Sequence, residues 1–357
     1  MENVLVAMSG GVDSSVAAFL LKEQGFELVG AMMKLFEGDG VAQSGCCSAA
    51  DASDARGVAT RLGIPFYAFN FMDTFQSQVI DRFVSAYSQG ATPNPCIDCN
   101  RFLKFERFLR RATEIGCGKI ATGHYARISR QGSRYLLKKG LDTGKDQSYA
   151  LYSMNSDQLA RTFFPLGELP KAKVREIAAA EGFANAKKPD SQDICFAPDG
   201  DYAGFISRHT GLPPTPGPFK GRGGEVLGEH KGIINYTIGQ RRGIGISAPH
   251  PLYVTGLAPK DNTVFLGGES ELYAKTLTAG DINLIAVESI PSPLRVFAKI
   301  RYNQKEQPAK VWQTAPDTLR VEFDQPQRAI TRGQAVVLYD GETVIGGGTI
   351  TGVEKEH

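Results

Sequence analysis

Within the 357-residue sequence, no segment has the pattern expected of an export signal or a membrane span. The first residues, MENVLVAMSG, contain no positive side chain, the first being Lys22, and Gly10 and Gly11 interrupt the apolar run. Neither a secretory nor a transit peptide is therefore predicted. No apolar stretch is long enough to span a bilayer. We expect a cytoplasmic protein with no membrane partner, whose thiols stay reduced.

Cysteine and histidine are also scarce, at six and five residues. Cys96 and Cys99 form a C-x-x-C pair, but no second pair and no histidine cluster completes a zinc site, so no metal site of this kind is expected. The context of a thioredoxin-like redox pair is missing as well. A thiol just ahead of the basic helix predicted to begin near Arg101 would have a lowered pKa, because positive charge and a helix N-terminus favour the thiolate. The other interpretation is that the thiols are small buried residues.

Net charge gives no strong signal for or against a polyanionic partner, because the formal total is only +2. Two local runs are basic: RFLKFERFLRR at 101–111 and ARISRQGSRYLLKKG at 126–140. Each run is either a nucleic-acid-binding face or the ordinary solvated face of a helix or hairpin.

The first part of the chain alternates between apolar runs and helical patterns. VLVAM at 4–8, FELVGAMM at 26–33 and IPFYAFNF at 64–71 read as strands, whereas DASDARGVATRLG at 51–63 and KAKVREIAAAEG at 171–182 read as helices. This alternation predicts a parallel α/β sheet with covering helices that lasts until about residue 200.

The later part of the chain has a different texture. From residue 211 proline and glycine are frequent, and the final segment alternates apolar and polar residues, as in LRVEFD at 319–324, which predicts a small β-barrel or sandwich. A single core stops growing at roughly 250 to 300 residues. We therefore predict three domains: an α/β domain at 1–204, a small central β-rich domain at 205–272 and a C-terminal β-barrel at 273–357.

The segment Ser9-Gly10-Gly11-Val12-Asp13-Ser14 lies where the first strand passes into the first helix. Ligands of open α/β sheets collect at this edge, and glycine lets backbone amides approach an anion such as pyrophosphate. No G-K-[ST] follows, so the segment is not a Walker A loop. Asp13 is a candidate for holding a metal ion that bridges phosphates.

Motifs along nearly the whole chain resemble one family. SGGVDSS is similar to the pyrophosphate loop of the ATP α-hydrolases. Together with it, TPNPCIDCN, KIATGHYAR, GLDTGKDQSYALY, SQDICF, INYTIGQRRGIGI and GQAVVLYDGETVIGGGTI resemble, in the same order, the tRNA-specific 2-thiouridylases. The resemblance implies a PP-loop, Rossmann-like fold for the N-terminal domain.

The resemblance also implies a reaction. ATP with Mg²⁺ would adenylate the C2 oxygen of the wobble uridine, and sulfur would then replace that oxygen with release of AMP. Sulfur would come from a cysteine desulfurase, directly or through a sulfur-relay protein. Cys195 would carry it as a persulfide and Cys99 would be the second thiol. Cys99 either releases sulfide or resolves the persulfide after attack, and both routes end in a Cys99–Cys195 disulfide.

Matching motifs imply two sets of binding residues in a protein that we expect to act as a monomer on the anticodon arm of tRNA. The nucleotide would be held by Ala7, Met8, Ser9, Gly10, Gly11, Val12, Asp13, Ser14, Met33 and Gly123. The tRNA would be contacted by Asn94, Pro95, Cys96, His124, Lys145, Asp146, Gln147, Arg301, Tyr302 and Gln334.

One position departs from the family pattern: Cys96 stands where many members have aspartate, so the group that transfers protons to the uridine stays open. Cys46, Cys47 and Cys117 are interpreted mainly as buried residues, with a redox or sulfur-relay role for Cys46-Cys47 as the alternative.

Three alternatives compete with this interpretation. The first keeps the same thiolation but changes its mechanism, with Cys96, Cys99 and Cys195 binding three irons of a [4Fe–4S] cluster whose open iron carries sulfide. The chain would otherwise be another adenylating ligase of the same class, or an RNA-binding scaffold without catalysis.

Overall fold

The structure is a computed structural model that describes residues 3–36, 48–190 and 194–354. Cys46 and Cys47, with their predicted redox role, lie outside these residues. The chain divides into two compact units. The first comprises 1–79, 95–200 and 341–345, and the second comprises 80–94, 201–340 and 346–357. The predicted domain boundaries at 204/205 and 272/273 stay predictions.

A parallel sheet lies at the centre of the first unit. The strands of this unit are β1 (Asn3–Ala7), β2 (Glu27–Lys34), β3 (Phe66–Asn70), β4 (Lys119–Ala121), β5 (Ala126–Gln131), β6 (Arg134–Lys139) and β7 (Thr162–Phe163). Five of them form the sheet, in the order β3-β2-β1-β4-β7, and each neighbour is parallel. The predicted α/β class with a parallel sheet is confirmed.

The strand order fixes where a ligand site is expected. From β1 the chain goes to β2 on one side of it and later to β4 on the other, so the topological switch point lies between β1 and β4. In open α/β sheets, ligands bind beyond the carboxyl ends of the strands at such a point.

Helices accompany the strands along the chain. In the first unit they are α1 (Val12–Glu23), α2 (Ala49–Leu62), α3 (Met72–Phe75), α5 (Pro95–Asp98), α6 (Phe108–Glu114), α7 (Ser148–Leu151), α8 (Ser156–Ala160) and α9 (Lys171–Ala180). Helix α4 (Asp81–Ser88) belongs to the second unit. Val4 and Val6 of β1 pack in one core with Val16 of α1, Val58 of α2 and Val174 of α9. The apolar faces of these three helices are therefore buried against one face of the sheet.

Two helix starts differ from the sequence predictions. Helix α2 begins at Ala49, two residues before the predicted segment 51–63, because Ser48 caps it and forms a capping box with Asp51. The basic helix begins at Pro95 rather than near Arg101, because α5 continues through a π-helical segment, Cys99–Arg107, into α6. Cys99 therefore lies within the helical stretch and not ahead of it.

The second unit contains α10 (Tyr202–Thr210) and two groups of strands. The first group is β8 (Gly217–Lys220), β9 (Val226–His230), β10 (Tyr253–Ala258) and β11 (Thr263–Gly267), which form a sheet in the order β10-β11-β8-β9. Phe219, Tyr236, Val254, Val264 and Leu266 form its core. This is the predicted β-rich central part.

The remaining strands form the predicted C-terminal barrel. They are β12 (Tyr273–Leu284), β13 (Leu294–Lys299), β14 (Gln307–Ala315), β15 (Thr318–Arg328), β16 (Ala335–Asp340) and β17 (Thr343–Glu354). Their order is β12-β15-β14-β13-β16-β17, and pairing of β12 with β17 closes the barrel. Leu319, Val321 and Phe323 alternate inward along β15, as their period of two predicts.

No helix among residues 3–36, 48–190 and 194–354 has both the length and the apolar character needed to cross a bilayer.

The barrel core offers a matched pair of substitutions. Phe323 is 1% exposed and Phe297 is 45% exposed in the same barrel. We expect Phe323→Ala to lower the free energy of unfolding by about 3 to 5 kcal/mol, because it leaves a cavity. Phe297→Ala should lower it by less than about 1 kcal/mol. Fluorescence of the single tryptophan, Trp312 of β14, during urea unfolding measures both. Equal losses would contradict the burial pattern of the barrel.

Candidate active site

The loop between β1 and α1 can be built only with glycine at position 10. Gly10 has a φ of +75°, and a Cβ atom there would lie 2.3 Å from the carbonyl oxygen of Asp51. Both the backbone angle and the neighbouring helix α2 therefore exclude a side chain. This brings the start of α2 against the loop.

Serine side chains hold the other end of the loop. The Ser14 hydroxyl donates to the Gly11 carbonyl at 3.1 Å and accepts from the Ser9 amide at 3.1 Å. The Ser15 hydroxyl donates to the same carbonyl at 3.0 Å. Gly11 is the N-cap of α1 and supplies no side chain, so the first amides of this 12-residue helix are suited to an anion.

The predicted nucleotide-binding residues converge at one edge of the sheet. Ala7 ends β1 opposite Ala31 of β2, and Met33 follows two residues later on β2. Gly123 lies two residues beyond the end of β4, and a Cβ atom at Gly123 would lie 2.8 Å from the carbonyl carbon of Asp13. Residues 7–14, Met33 and Gly123 therefore lie at the carboxyl ends of the neighbouring strands β1, β2 and β4.

A buried ammonium group ties this loop to a distant helix. Lys171, at the start of α9, is 9% exposed, and its Nζ donates to the two carboxylate oxygens of Asp13 at 2.7 and 2.8 Å. The same Nζ lies 2.8 Å from Asp190 Oδ1. The Tyr125 hydroxyl also donates to Asp13, at 2.8 Å. Asp13, expected to be a metal ligand, is thus bound by a cation of the protein itself.

Asp190 forms ion pairs with three cationic side chains. Besides Lys171, it accepts from Lys145 Nζ and Arg175 Nη2, each at 2.8 Å. Burial alone would raise the pKa of Asp190, but hydrogen bonds from Lys145 and Lys171 outweigh it and lower the pKa to about 2. Burial and the Asp13 carboxylate raise the pKa of Tyr125, so its hydroxyl acts as a donor.

The sequence reasoning missed Lys171 and Asp190 as members of the site. One signal was available for Lys171: a lysine in the first turn of a helix opposes the helix dipole, so its placement there needs a local reason. The pairing itself joins residues 158 positions apart, which no local pattern reveals.

The described cysteines are reduced thiols in different surroundings. Cys96 is exposed, Cys99 and Cys195 are partly exposed, and Cys117 is buried. Burial raises the pKa of Cys117, which makes its thiol a poor nucleophile. Cys99 and Cys195 are accessible enough for chemistry, and their pairing stays a prediction.

The thiols do not fit an iron–sulfur cluster. Across the part of the chain that the structure describes, no three His, Cys, Asp or Glu side chains are grouped to hold a metal ion. Cys96, Cys99 and Cys195 are therefore not gathered as the three ligands that the cluster alternative needs.

His124, a predicted tRNA contact, is a buried residue. Its Nδ1 lies 2.7 Å from the Thr122 hydroxyl, its Nε2 lies 3.4 Å from Lys104 Nζ, and its ring packs against Phe105 and Phe164. Burial and the charge of Lys104 hold the pKa of His124 well below its ordinary value, so the ring is neutral. With 9% exposure it presents little surface to a ligand.

The three residues at 145–147 have internal partners. Lys145 pairs with Asp190, and Asp146 accepts from the Gly140 amide at 2.9 Å and the Ser148 hydroxyl at 2.8 Å. Gln147 accepts from the Tyr125 amide at 2.9 Å. These contacts connect the predicted tRNA-binding loop to the residues around Asp13.

In the second unit, two predicted tRNA contacts also form internal bonds. Arg301 Nη2 donates to the Thr331 hydroxyl at 2.7 Å and to the Ala329 carbonyl at 2.9 Å. Gln334 donates to the Thr92 carbonyl at 2.7 Å.

The other predicted tRNA contacts differ in exposure. Tyr302 has Lys299 Nζ 5.6 Å from its ring centroid. Asn94 and Tyr302 are partly exposed, whereas Pro95 is buried.

Three family profiles match successive parts of the chain. They are described as a tRNA methyl transferase HUP domain over residues 2–199, a tRNA methyl transferase PRC-barrel domain over 204–268, and an aminomethyltransferase beta-barrel domain over 274–350. These descriptions agree with the parallel sheet, the central sheet and the C-terminal barrel.

Full-length curated relatives carry one name. A protein named tRNA-specific 2-thiouridylase MnmA from Clostridioides difficile (strain 630) is 49% identical over 353 residues, 98% of each chain. A protein of the same name from Acetivibrio thermocellus is 49% identical over 355 residues, 98% of this chain and 99% of that one.

Two solved structures show more distant likeness. A 4-thiouridine synthetase–RNA complex with bound ATP has 19% identity and a TM-score of 0.37, covering 55% of this chain and 45% of that one. A glutamine-dependent NAD⁺ synthetase from Acinetobacter baumannii has 15% identity and a TM-score of 0.33, covering 50% and 28%. Likeness at this level supports no inference about the chain.

The carboxylate of Asp190 should make the first unit sensitive to acid. Its pKa is lowered in the folded protein, so its contribution to stability is present above about pH 4 and is lost as pH falls towards about pH 2. We therefore expect the stability difference between wild type and Asp190→Asn to shrink over that interval. Urea midpoints measured from about pH 6 to about pH 2 test this.

The exposed pair Arg295–Asp324 is the matched control. Asp324→Asn should change stability little at neutral pH, because both groups face solvent. A difference for Asp190→Asn that stays constant down to about pH 2 would contradict the role of its ion pairs.

Proposed function

Because the chain belongs to the tRNA-specific 2-thiouridylase family, we propose that it is an ATP-dependent tRNA sulfurtransferase that replaces the C2 oxygen of the wobble uridine with sulfur. The observation that carries this proposal is the 49% identity to the Clostridioides difficile relative over 98% of both chains. The position of the Ser9–Ser14 loop at the switch point of the sheet supports it independently.

In the first step, the uridine C2 oxygen attacks the α-phosphorus of ATP and pyrophosphate leaves. The loop residues 9–14 and the first amides of α1 hold the departing pyrophosphate, since amides at a helix N-terminus stabilise an anion. Ala7, Met8, Met33 and Gly123 border the rest of the nucleotide at the same edge of the sheet. Mg²⁺ accompanies the phosphates as part of the ATP complex.

In the second step, sulfur replaces the activated oxygen. On one route the terminal sulfur of a Cys195 persulfide attacks C2, AMP leaves, and the Cys99 thiolate attacks the Cys195 sulfur to free the thiouridine. On the other route Cys99 first releases sulfide from the persulfide, and the sulfide attacks C2. Both routes leave a Cys99–Cys195 disulfide, and a dithiol reductant restores the two thiols.

Two groups of residues serve tRNA in this proposal. Asn94, Pro95 and Cys96 meet the target base, with His124 and Lys145–Gln147 near it. Arg301, Tyr302 and Gln334 contact the anticodon arm, where stacking on unpaired bases and arginine on phosphate are the usual means. Because His124 is buried and neutral, its contribution is a hydrogen bond or ring packing and not a positive charge.

The remaining parts of the proposal concern the surroundings of the enzyme. A cysteine desulfurase or a sulfur-relay protein supplies the persulfide, the enzyme acts as a monomer on one tRNA, and the reaction takes place in the cytoplasm.

The thiol assignments can be tested with unmodified tRNA, ATP, Mg²⁺ and a persulfide donor. Wild type should form 2-thiouridine, detected by mass spectrometry of digested tRNA. Cys99→Ser and Cys195→Ser should each lower the yield by about 100-fold or more, because serine neither carries nor attacks a persulfide.

The buried Cys117 provides the matched control, and Cys117→Ala should retain activity within about twofold. Full activity of Cys99→Ser would move the second thiol to Cys96. Absence of product from wild type would contradict the proposed reaction.

The persulfide carrier can be identified without tRNA. After incubation with the sulfur donor, intact-mass and peptide analysis should show one additional sulfur atom on Cys195 in Cys99→Ser, which lacks the thiol that could release it. The same mass increase on Cys99 in Cys195→Ser, with none on Cys195 in Cys99→Ser, would reverse the two roles.

A further inference from the structure

Asn185 reaches the nucleotide loop from the distant segment that follows α9. Its side chain is 4% exposed, and its Nδ2 donates to the Gly10 carbonyl and to the Ser15 hydroxyl, both at 2.9 Å. Lys188 Nζ lies 3.4 Å from the same carbonyl and is itself held by Asp51 and Asp54. The Gly10 carbonyl is therefore fixed by two side chains from one short segment.

Fixing this carbonyl also fixes the next amide. A trans peptide is planar, with its C=O and N–H pointing in opposite directions. When Gly10 directs its oxygen to Asn185, the N–H of Gly11 must point to the other side of the loop.

The following peptide is fixed in the same way. The Gly11 carbonyl accepts from the hydroxyls of Ser14 and Ser15, which turns the N–H of Val12 away from those hydroxyls. Ser15 joins the two peptides, because its hydroxyl accepts from Asn185 and donates to Gly11.

Glycine makes this control necessary. Glycine can adopt more backbone conformations than any other residue type. The peptide between Gly10 and Gly11 would therefore rotate readily without a contact from another segment. Preorganised donors stabilise an anion better than donors that must first reorient.

We propose that Asn185 is a positioning residue of the ATP site, which holds the Gly10 carbonyl so that the amides of Gly11 and Val12 face the phosphate chain. The inference rests on the proposed function and names a residue that the motif comparison did not include. Asn185 acts through the loop backbone and does not contact the reacting atoms.

A residue that positions the loop amides should affect binding of the phosphate chain of ATP but not binding of its adenosine part. Asn185→Ala should weaken binding of ATP with Mg²⁺ by about tenfold or more, as expected when buried hydrogen bonds are lost. It should change binding of AMP by less than about twofold, because AMP has no pyrophosphate for the loop amides. Isothermal titration of the full-length protein with each nucleotide measures both.

Asn155→Ala is the matched control within the same unit. Asn155 caps α8 by accepting from the Gln158 amide, so its loss should lower stability without changing ATP affinity. Equal weakening of ATP and AMP binding by Asn185→Ala, or no weakening of either, would overturn the proposal.

Asn185→Asp keeps the side-chain volume and carries the test if the alanine variant does not fold. An ionised carboxylate cannot donate to the Gly10 carbonyl, whereas a protonated one has a single donor. ATP affinity relative to wild type should therefore improve as pH falls from about 8 to about 5. A pH-independent ratio near one would overturn the proposal, and failure of wild type to bind ATP would overturn the proposed function together with it.

Discussion

The buried ammonium of Lys171 is the interaction on which the arrangement of the first unit depends. A charge taken out of water requires partners, and Lys171 has two, Asp13 on the nucleotide loop and Asp190 on the segment that leads to Cys195. Removing either carboxylate would leave a positive charge with only half its compensation. The start of α9, the loop after β1 and Asp190 are therefore held at one point.

The ion pairs of Lys171 join two parts of the first unit that are far apart in sequence. The loop amides come from the first 14 residues, but the side chains that orient the loop come from 171–190. Lys145 extends the same charge network to residues 145–147, where Gln147 accepts from the Tyr125 amide. The predicted nucleotide-binding loop, Asp190 and a predicted tRNA contact thus share one set of ion pairs.

The sequence predicted the local elements of the fold well. VLVAM, FELVGAMM and IPFYAFNF give strands within a few residues of β1, β2 and β3, and the helix predicted from Lys171 begins there. Apolar periodicity and β-branched composition are local properties, so they can be read from a single chain. The alternation in LRVEFD likewise predicted an inward and an outward face of β15.

What the sequence did not predict depends on long-range pairing. Asn185 lies in a polar loop that resembles any solvated turn, and only the folded chain shows it buried against Gly10. His124 matches a tRNA-contacting motif, yet its ring is enclosed by Phe105 and Phe164. The π-helical segment Cys99–Arg107 was equally hidden, because its composition is that of an ordinary helix.

The π-helical segment Cys99–Arg107 constrains how this enzyme can evolve. Its hydrogen bonds span five residues instead of four, and the buried Leu103 and Phe105 anchor it. A lineage that lost one residue there would keep a helix and a core, but it would turn Cys99 by about 100° and present a neighbour in its place. The length of this segment is consequently less free to drift than its composition.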